Sequence, residues 1–491
     1  MRIAEEREQS LDAVAAPEQV WVGKPWYAHS GLLTFGVMVL AVALGFAALV
    51  VPWQAFLGLG LAALVLAAVV RSTYLGLLVA VWWMYIRPDE FVPGLSRLHM
   101  QKLLVLVILV ALFMRRSERM PVFKPVAPQT WAVLGILGAA ALSVVFAVWK
   151  GGAFSILDRL VRYSVYYFVA VMLLKTEGRV CGYIWTVVFA SALLAFLAIH
   201  NYHTGDVVVS GELQRAIGAN VLFQDPNDLA AAMAMGLPMA YFSIWAARSR
   251  SGKLFAAIAV AAMLFGIVFT GSRSGALSVA ALFLFTLFVT PRRGLMALVG
   301  IVALAVLWFS ASPEYKERIL SIKRVVSGQS EDPSATIRRM AWDAGRRMFF
   351  EHPFIGVGAG NFPNVWATEY TEPGVKPLWK NAHSLYYQLA SEQGMVGIAV
   401  WGYLVLSIFW SNRRSRKLLC ALESRSSPLY FLSYGVDLAL LSVLVSGVFV
   451  SILYYPFMFT LAAVAAAMDR VVRASVGDTG EASTCAVSVV S

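Results

Sequence analysis

Apolar runs, most of them close to 20 residues and broken by short polar or basic breaks, recur from residue 31 to residue 468. Runs of about 20 residues match the thickness of a bilayer's hydrocarbon core, where each backbone polar group must be satisfied inside its own helix. The pattern predicts an all-α polytopic membrane protein. The apolar segments fall at 31–51, 53–70, 73–87, 101–114, 130–149, 160–174, 181–200, 227–247, 254–270, 275–290, 294–310, 385–410, 429–446 and 449–468. Several are short enough to tilt or re-enter, so about 12–14 transmembrane helices are expected.

Five regions follow from this pattern. Residues 1–30 carry Glu5, Glu6, Glu8, Asp12 and Glu18 without an early apolar core. They read as a cytoplasmic N-terminal tail rather than a secretory signal. An N-terminal transmembrane region spans 31–310, interrupted by an outer loop at 201–226. A second outer loop, 311–384, is much longer than ordinary connections. A C-terminal transmembrane region covers 385–470, and 471–491 forms a small, polar cytoplasmic tail. Within the long loop, SATIRRMAWDAGRRMFFEHP (334–353) is amphipathic. Ile337, Met340, Ala341, Ala344, Met348 and Phe349 share one helical face, while Arg338, Arg339, Arg346 and Arg347 lie largely elsewhere. That pattern predicts a helix resting on the outer membrane surface. Pro353 ends it, and the Gly-rich turn GVGAGNF (356–362) follows.

Composition agrees with a membrane chain: 59% hydrophobic and 14% charged residues, with a mean hydropathy of +0.70. The net charge of +12 does not point to nucleic acid, because the positive residues sit in short breaks. These are RRSERMPVFK (115–124), KTEGR (175–179), RSRSGK (248–253), Arg292 and Arg293, NRRSRK (412–417) and RVVR (470–473). Excess Lys and Arg in short loops marks the cytoplasmic side. With those loops inside, both termini are cytoplasmic, and 201–226 and 311–384 face out. Cys181, Cys420 and Cys485 lie on or near the inner side and have no metal-type spacing.

Three outward spots carry candidate chemistry. Arg215 stands in the first outer loop, ahead of FQDPNDLAA (223–231), where Asp225 or Asn227 caps a helix beginning at Pro226. Arg273 stands in TGSRSGA (270–276), a tight turn between apolar segments. A positive residue on the outer side runs against the topology rule, and the small neighbours Gly271, Ser272, Ser274 and Gly275 let an anion approach the backbone. His383 opens HSLYYQLASEQGMVG (383–397) at a helix entry and is a proton acceptor near neutral pH. The planar fork of Arg suits phosphate oxygens, and a neutral His can take the proton of an attacking hydroxyl. Two Arg and one base suit displacement of a diphosphate leaving group. No Asp-x-Asp pair is present to hold a divalent metal beside a sugar nucleotide.

His383-Ser384, nine residues, Gly394, two residues, Gly397: this spacing resembles the ligase motif of the O-antigen ligase and O-antigen polymerase superfamily of bacterial inner-membrane glycosyltransferases. RAIGANVLFQDPNDLA (215–230), TGSRSGAL (270–277) and EHPFIGVGAGNF (351–362) are similar to family strings in the same order, so the resemblance spans roughly residues 200–410. YLGLLVAVWWMYIRPDEFVPGL (74–95) is similar, less specifically, to exopolysaccharide-type members. The resemblance implies a GT-C-like fold with a long helical periplasmic loop. It implies metal-independent, cofactor-free transfer, with inversion, of a glycan from undecaprenyl diphosphate to an acceptor hydroxyl. His383 would be the general base, and Arg215 and Arg273 would hold the diphosphate, with Arg338 or Arg339 as further candidates. The acceptor stays open among lipid A core, another repeat unit and a protein hydroxyl. A ligase is preferred; a polymerase joining lipid-linked repeats is the alternative. A transporter of polysaccharide or lipid carrier is a second alternative, although no inverted repeat is visible.

Overall fold

The computed structural model describes residues 67, 69, 71–91, 100–114, 127–210, 212–289, 293–310, 312–326, 333–371 and 377–478. The expected segment 31–51, most of 53–70, the basic stretch 115–124, the N-terminal tail and residues 479–491 lie outside them. The helices are α1 (Thr73–Ile86), α2 (Pro88–Phe91), α3 (Met100–Met114), α4 (Pro128–Phe146), α5 (Lys150–Leu173), α6 (Glu177–Thr204), α7 (Pro226–Ala246), α8 (Arg250–Phe269), α9 (Arg273–Val289), α10 (Arg293–Ser310), α11 (Pro313–Val326), α12 (Pro333–Glu351), α13 (Phe362–Glu369), α14 (Leu385–Ala421), α15 (Pro428–Ser446) and α16 (Phe457–Asp478). A two-stranded antiparallel hairpin, β1 (Val207–Ser210) and β2 (Leu213–Ala216), joins α6 to α7.

The protein is an all-α polytopic membrane protein. Among the described residues α4, α6, α7, α8, α14 and α15 are long and apolar enough to cross a bilayer. Helices α5 and α16 are also long but carry more charge, including Asp158, Arg159 and Arg162 on one and Asp469, Arg470 and Arg473 on the other. Helix α7 is the most enclosed span and packs on α15, α8, α6 and α9. Its run of Ala230, Ala231, Ala232, Met233, Ala234, Met235 and Gly236 is fully buried. A Cβ on Gly236 would stand 2.4 Å from Ser191 Oγ, and one on Gly266 would stand 2.7 Å from Met233 Sδ. Small residues thus let α6, α7 and α8 approach closely, as dispersion-driven packing in lipid requires.

The bundle has two chemically distinct ends. At one, Glu177 meets Arg248 at 3.4 Å and Ser427 Oγ at 3.0 Å, and Arg470 donates to the carbonyls of Val171 and Leu174 at 2.6 and 2.7 Å. The basic segments 175–179, 248–253 and 470–473 gather there. The hairpin, the 270–273 turn, the entry of α14 and the start of α16 meet at the other end.

Several boundaries differ from the apolar pattern. Helix α14 continues through the basic string 412–417, because Arg414 pairs with Asp469 at 3.0 Å and Arg416 with Asp437 at 2.6 Å. Helix α5 starts at Lys150, ten residues before the expected apolar segment, and ion-pairs Asp158 with Arg162 along its side. The segment expected at 449–468 is helical only from Phe457, immediately after Pro456.

The amphipathic helix forms where expected, as α12, but its apolar face is not laid on a membrane surface. Ala341, Ala344 and Met348 are fully buried against Val357, Phe362, Val365, Trp366, Tyr370 and Ala382, with Ile337, Trp342 and Tyr387 packed beside them. Trp342 stacks on Tyr387 of α14, with ring centroids 5.3 Å apart at 12°. The helix is the core of the loop module, because α13 and the Gly-rich turn supply a protein partner for its apolar stripe.

A break in α14 anchors this module. Gly394 adopts φ 59°, ψ −154° in mid-helix. The interruption frees carbonyls on one side and N–H groups on the other. Ser391 O accepts from Val357 N at 2.8 Å and Glu392 O from Gly358 N at 3.1 Å, while Met395 N and Val396 N donate to the carbonyls of Pro353 and Phe354 at 2.8 and 3.1 Å. The buried Glu392 carboxylate adds Gly360 N at 2.8 Å, Phe362 N at 3.2 Å and Tyr454 Oη at 2.7 Å. Only glycine fits at 394, since a Cβ would lie 2.5 Å from the Phe354 carbonyl carbon. Gly394→Ala is expected to cost at least ~1–3 kcal/mol of backbone strain and to lower the melting temperature of the detergent-solubilised protein. Gly402→Ala, in the same helix with nothing within 4 Å of its Cβ position, should leave it unchanged or raise it.

Candidate active site

The tight turn at 270–273 is built around Arg215. Strand β2 directs this side chain inward, where it is 6% exposed. Its Nε donates to Thr270 O at 2.9 Å and its Nη2 to Asn227 Oδ1 at 2.9 Å. The same Asn227 oxygen accepts from Ser272 Oγ at 2.9 Å. Gly271 takes φ +60°, and a Cβ there would fall 2.8 Å from Leu213 Cδ2, so the hairpin and the turn touch through a glycine. The Tyr315 hydroxyl, from α11, donates to Ser272 O at 3.2 Å. Arg273, half-buried, begins α9 immediately after this clamp.

Asp225 is the cap of α7, accepting from Asn227 N at 2.7 Å. The two residues that the sequence leaves as alternative caps therefore divide the work. Asp225 caps, and Asn227 joins Arg215 to the serine turn. That second role was not evident from the sequence, because Asp-Pro-Asn before an apolar run is fully explained as a helix start.

His383 sits one residue before the Ser384 cap of α14, with a left-handed backbone at φ 49°. A non-glycine residue holds this conformation only when its surroundings over-determine it. Here Ala382 and Ser384 on either side are buried, and Leu385 N donates to Gly447 O at 2.7 Å. Ser446, next to that glycine, shares a 2.7 Å hydrogen bond with Ser278, which donates to Ser274 O at 3.0 Å. Ser274 Oγ lies 2.9 Å from Ser272 Oγ. A line of buried serines, joined in part through the carbonyls of Ser274 and Gly447, thus runs from the Arg215 clamp, along the first turn of α9 where Arg273 stands, to the helix entry that carries His383.

Burial and the charges around His383 set its protonation. Burial is the largest influence and pushes its pKa below the ordinary imidazole value; Arg338 pushes the same way, Asp225 opposes, and Lys380 adds to the lowering. The imidazole is therefore neutral at pH 7 and able to accept a proton. Of the two adjacent candidates on α12, Arg338 reaches the His383 environment. Arg339 instead lines a cavity on the other side of the helix, with Asp343, Arg347 and Tyr370. Neighbouring helical residues point about 100° apart, and the buried stripe of α12 dictates which one faces His383.

Two further features escaped sequence reading. Asp228, one turn into α7, takes a hydrogen bond from Tyr455, whose hydroxyl also lies 3.3 Å from Leu222 O. Glu392, inside the His-to-Gly string, clamps the Gly-rich turn. A carboxylate within an apolar helix was the available signal for both, since such a group requires partners.

A titration of His383 by NMR in the solubilised protein should give a midpoint below about 6.5, the ordinary His value. Arg338→Gln should move it up, because a positive neighbour that disfavours the imidazolium is removed. Asp225→Asn should move it down.

Residues 258–402 match the family model described as O-antigen ligase (Wzy_C). No curated protein matches the chain. The matched stretch runs from within α8 to the middle of α14. It takes in Arg273, Arg338, Arg339, His383, Gly394 and Gly397; Arg215 lies outside and joins the site through its contacts with Thr270 and Asn227. Over these residues the chain is similar to the O-antigen ligase superfamily, which supports a relationship to it.

Proposed function

We propose that the protein is a ligase-type membrane glycosyltransferase that moves a glycan from an undecaprenyl-diphosphate carrier to an acceptor hydroxyl. The observation that carries this reading is the hydrogen-bonded line joining the Arg215–Arg273 turn to the entry of α14 at His383. The neutral imidazole of His383 takes the proton of the acceptor hydroxyl as that oxygen attacks the anomeric carbon of the donor sugar. The bond from that carbon to the diphosphate oxygen breaks, and its electron pair leaves with the diphosphate. Arg273 and Arg338 meet the charge that grows there, and Arg215 contributes its own charge from beneath the turn while holding the turn's shape. The displacement is direct, so the anomeric centre inverts. No metal is needed where guanidiniums neutralise the leaving group.

Placement in a bacterial inner membrane, with the site on the periplasmic side, accords with the basic segments gathering at the opposite end of the bundle. A lipid-anchored donor accords with a site at the end of apolar spans rather than in an open cleft. The ligase reading rests on the fixed spacing of His383, Gly394 and Gly397. That spacing sets the distance from the base to the break that holds the loop module.

Three outcomes are expected in a transfer assay with a lipid-linked glycan and full-length protein in membranes. His383→Ala abolishes transfer while expression and elution of the solubilised protein remain normal; retained transfer removes His383 as the base. Arg273→Lys lowers the rate by ~10²-fold or more, since a point charge cannot replace a bidentate fork. A strong chelator leaves the rate unchanged. In a deletion strain, accumulation of long lipid-linked chains supports the ligase, whereas accumulation of single repeats supports a polymerase.

A further inference from the structure

The outward face of α12 carries chemistry that the proposed reaction does not use. Arg339, Asp343 and Arg347 recur at four-residue spacing and line one side of a cavity of about 260 Å³. Met340, Trp366, Tyr370, Thr371 and Leu378 complete it. Arg347 is held in place: it pairs with Asp343 at 3.3 Å, donates to Tyr370 O at 3.3 Å and lies 5.6 Å from the centre of the Tyr370 ring. Asp343 also accepts from Arg346 at 2.8 Å. The Tyr370 hydroxyl is tied to Glu351. Arg339, by contrast, makes no hydrogen bond or ion pair among the described residues. The cavity therefore has one guanidinium committed to its wall, that of Arg347, and one, that of Arg339, uncommitted among the described residues at its edge. Counted together, three guanidiniums on this face stand against the carboxylates of Asp343 and Glu351.

We infer that this cavity binds a carboxylated sugar ring, of the uronic-acid class, belonging to a glycan handled by the enzyme, at a subsite separate from the one at His383. Its size lies below the ~300–1,000 Å³ of pockets that enclose drug-sized ligands, which suits one ring. Its lining is mixed in the way a sugar ring requires. Met340, Leu378 and the ring edges of Trp366 and Tyr370 cover the C–H faces, and Asp343 and Thr371 meet hydroxyls. Arg339 supplies a planar fork for the carboxylate. A bare phosphate would use the Arg but not the apolar wall. The choice of a sugar rests on the glycosyltransferase reading; the existence of the subsite does not depend on His383. Because α12 presents Arg338 to His383 and Arg339 to this cavity, a glycan held here is tethered on an adjacent face of the helix that borders the reacting centre.

Ligand-observed saturation-transfer NMR on the full chain in detergent tests this, with glucuronate and glucose as probes. Glucuronate should bind saturably, and at least about tenfold more tightly than glucose. Arg339→Gln, at an exposed position, should remove that preference by about tenfold without changing elution of the protein. His383→Ala should bind glucuronate as the parent does while losing transfer, so a failed catalytic assignment and a failed subsite give different results. Absence of saturable binding, equal binding of the two sugars, an unaffected Arg339→Gln variant, or equal competition by acetate would each overturn the proposal.

Discussion

The rest of the end that carries the candidate site depends on the docking of a loop backbone into the break in α14. A transmembrane helix normally satisfies its own amides, and breaking it in lipid is costly unless other groups step in. At Gly394 the replacements are the carbonyls of Pro353 and Phe354 and the N–H groups of Val357 and Gly358. The helix and the loop therefore complete each other. Glu392, buried among these amides, fixes the loop further by accepting from Gly360 and Phe362. Everything carried by the loop module, including α12 with its arginines, takes its position from this junction.

A second constraint joins the junction to the arginine turn. Small residues bring α6, α7 and α8 close together, and α7 in turn packs on α15. Their ends are spaced closely enough for single serine hydroxyls to span between elements. Ser278 meets Ser446 directly, and Gly447, the next residue, receives the first amide of α14. Short side chains lose little entropy when ordered, so a line of serines holds the turn and the His383 entry in register more cheaply than long charged side chains would. Arg215 is itself part of this structure through Thr270 and Asn227.

Much of this was readable from the chain. Apolar run length identified the polytopic class, and the outward placement of Arg215, Arg273 and His383 singled out residues that the fold brings to one end. Boundaries were less readable where ion pairs override hydropathy: Arg414 and Arg416 extend α14 through a string that looked like a loop. The α12 face was misassigned because periodicity reveals an apolar stripe but not what covers it. Met340, counted on the stripe, lines the outer cavity. The two-stranded hairpin was unmarked because its second strand reads Leu-Gln-Arg-Ala, without β-branched residues. Asn227 was hidden behind an adequate capping explanation.

The neutrality of His383 follows from the same arrangement rather than from a separate device. Burial, beside Ala382 and Ser384, is the largest cause of its lowered pKa, and the nearby cations Arg338 and Lys380 act in the same direction. Asp225 acts in the opposite direction and moderates the effect. The loop module thus determines both where Arg338 stands and how strongly His383 binds its proton. The spacing from His383 to Gly394 then has a physical meaning. It is the length of helix between His383 and the break that brings the loop, and with it Arg338, to that histidine.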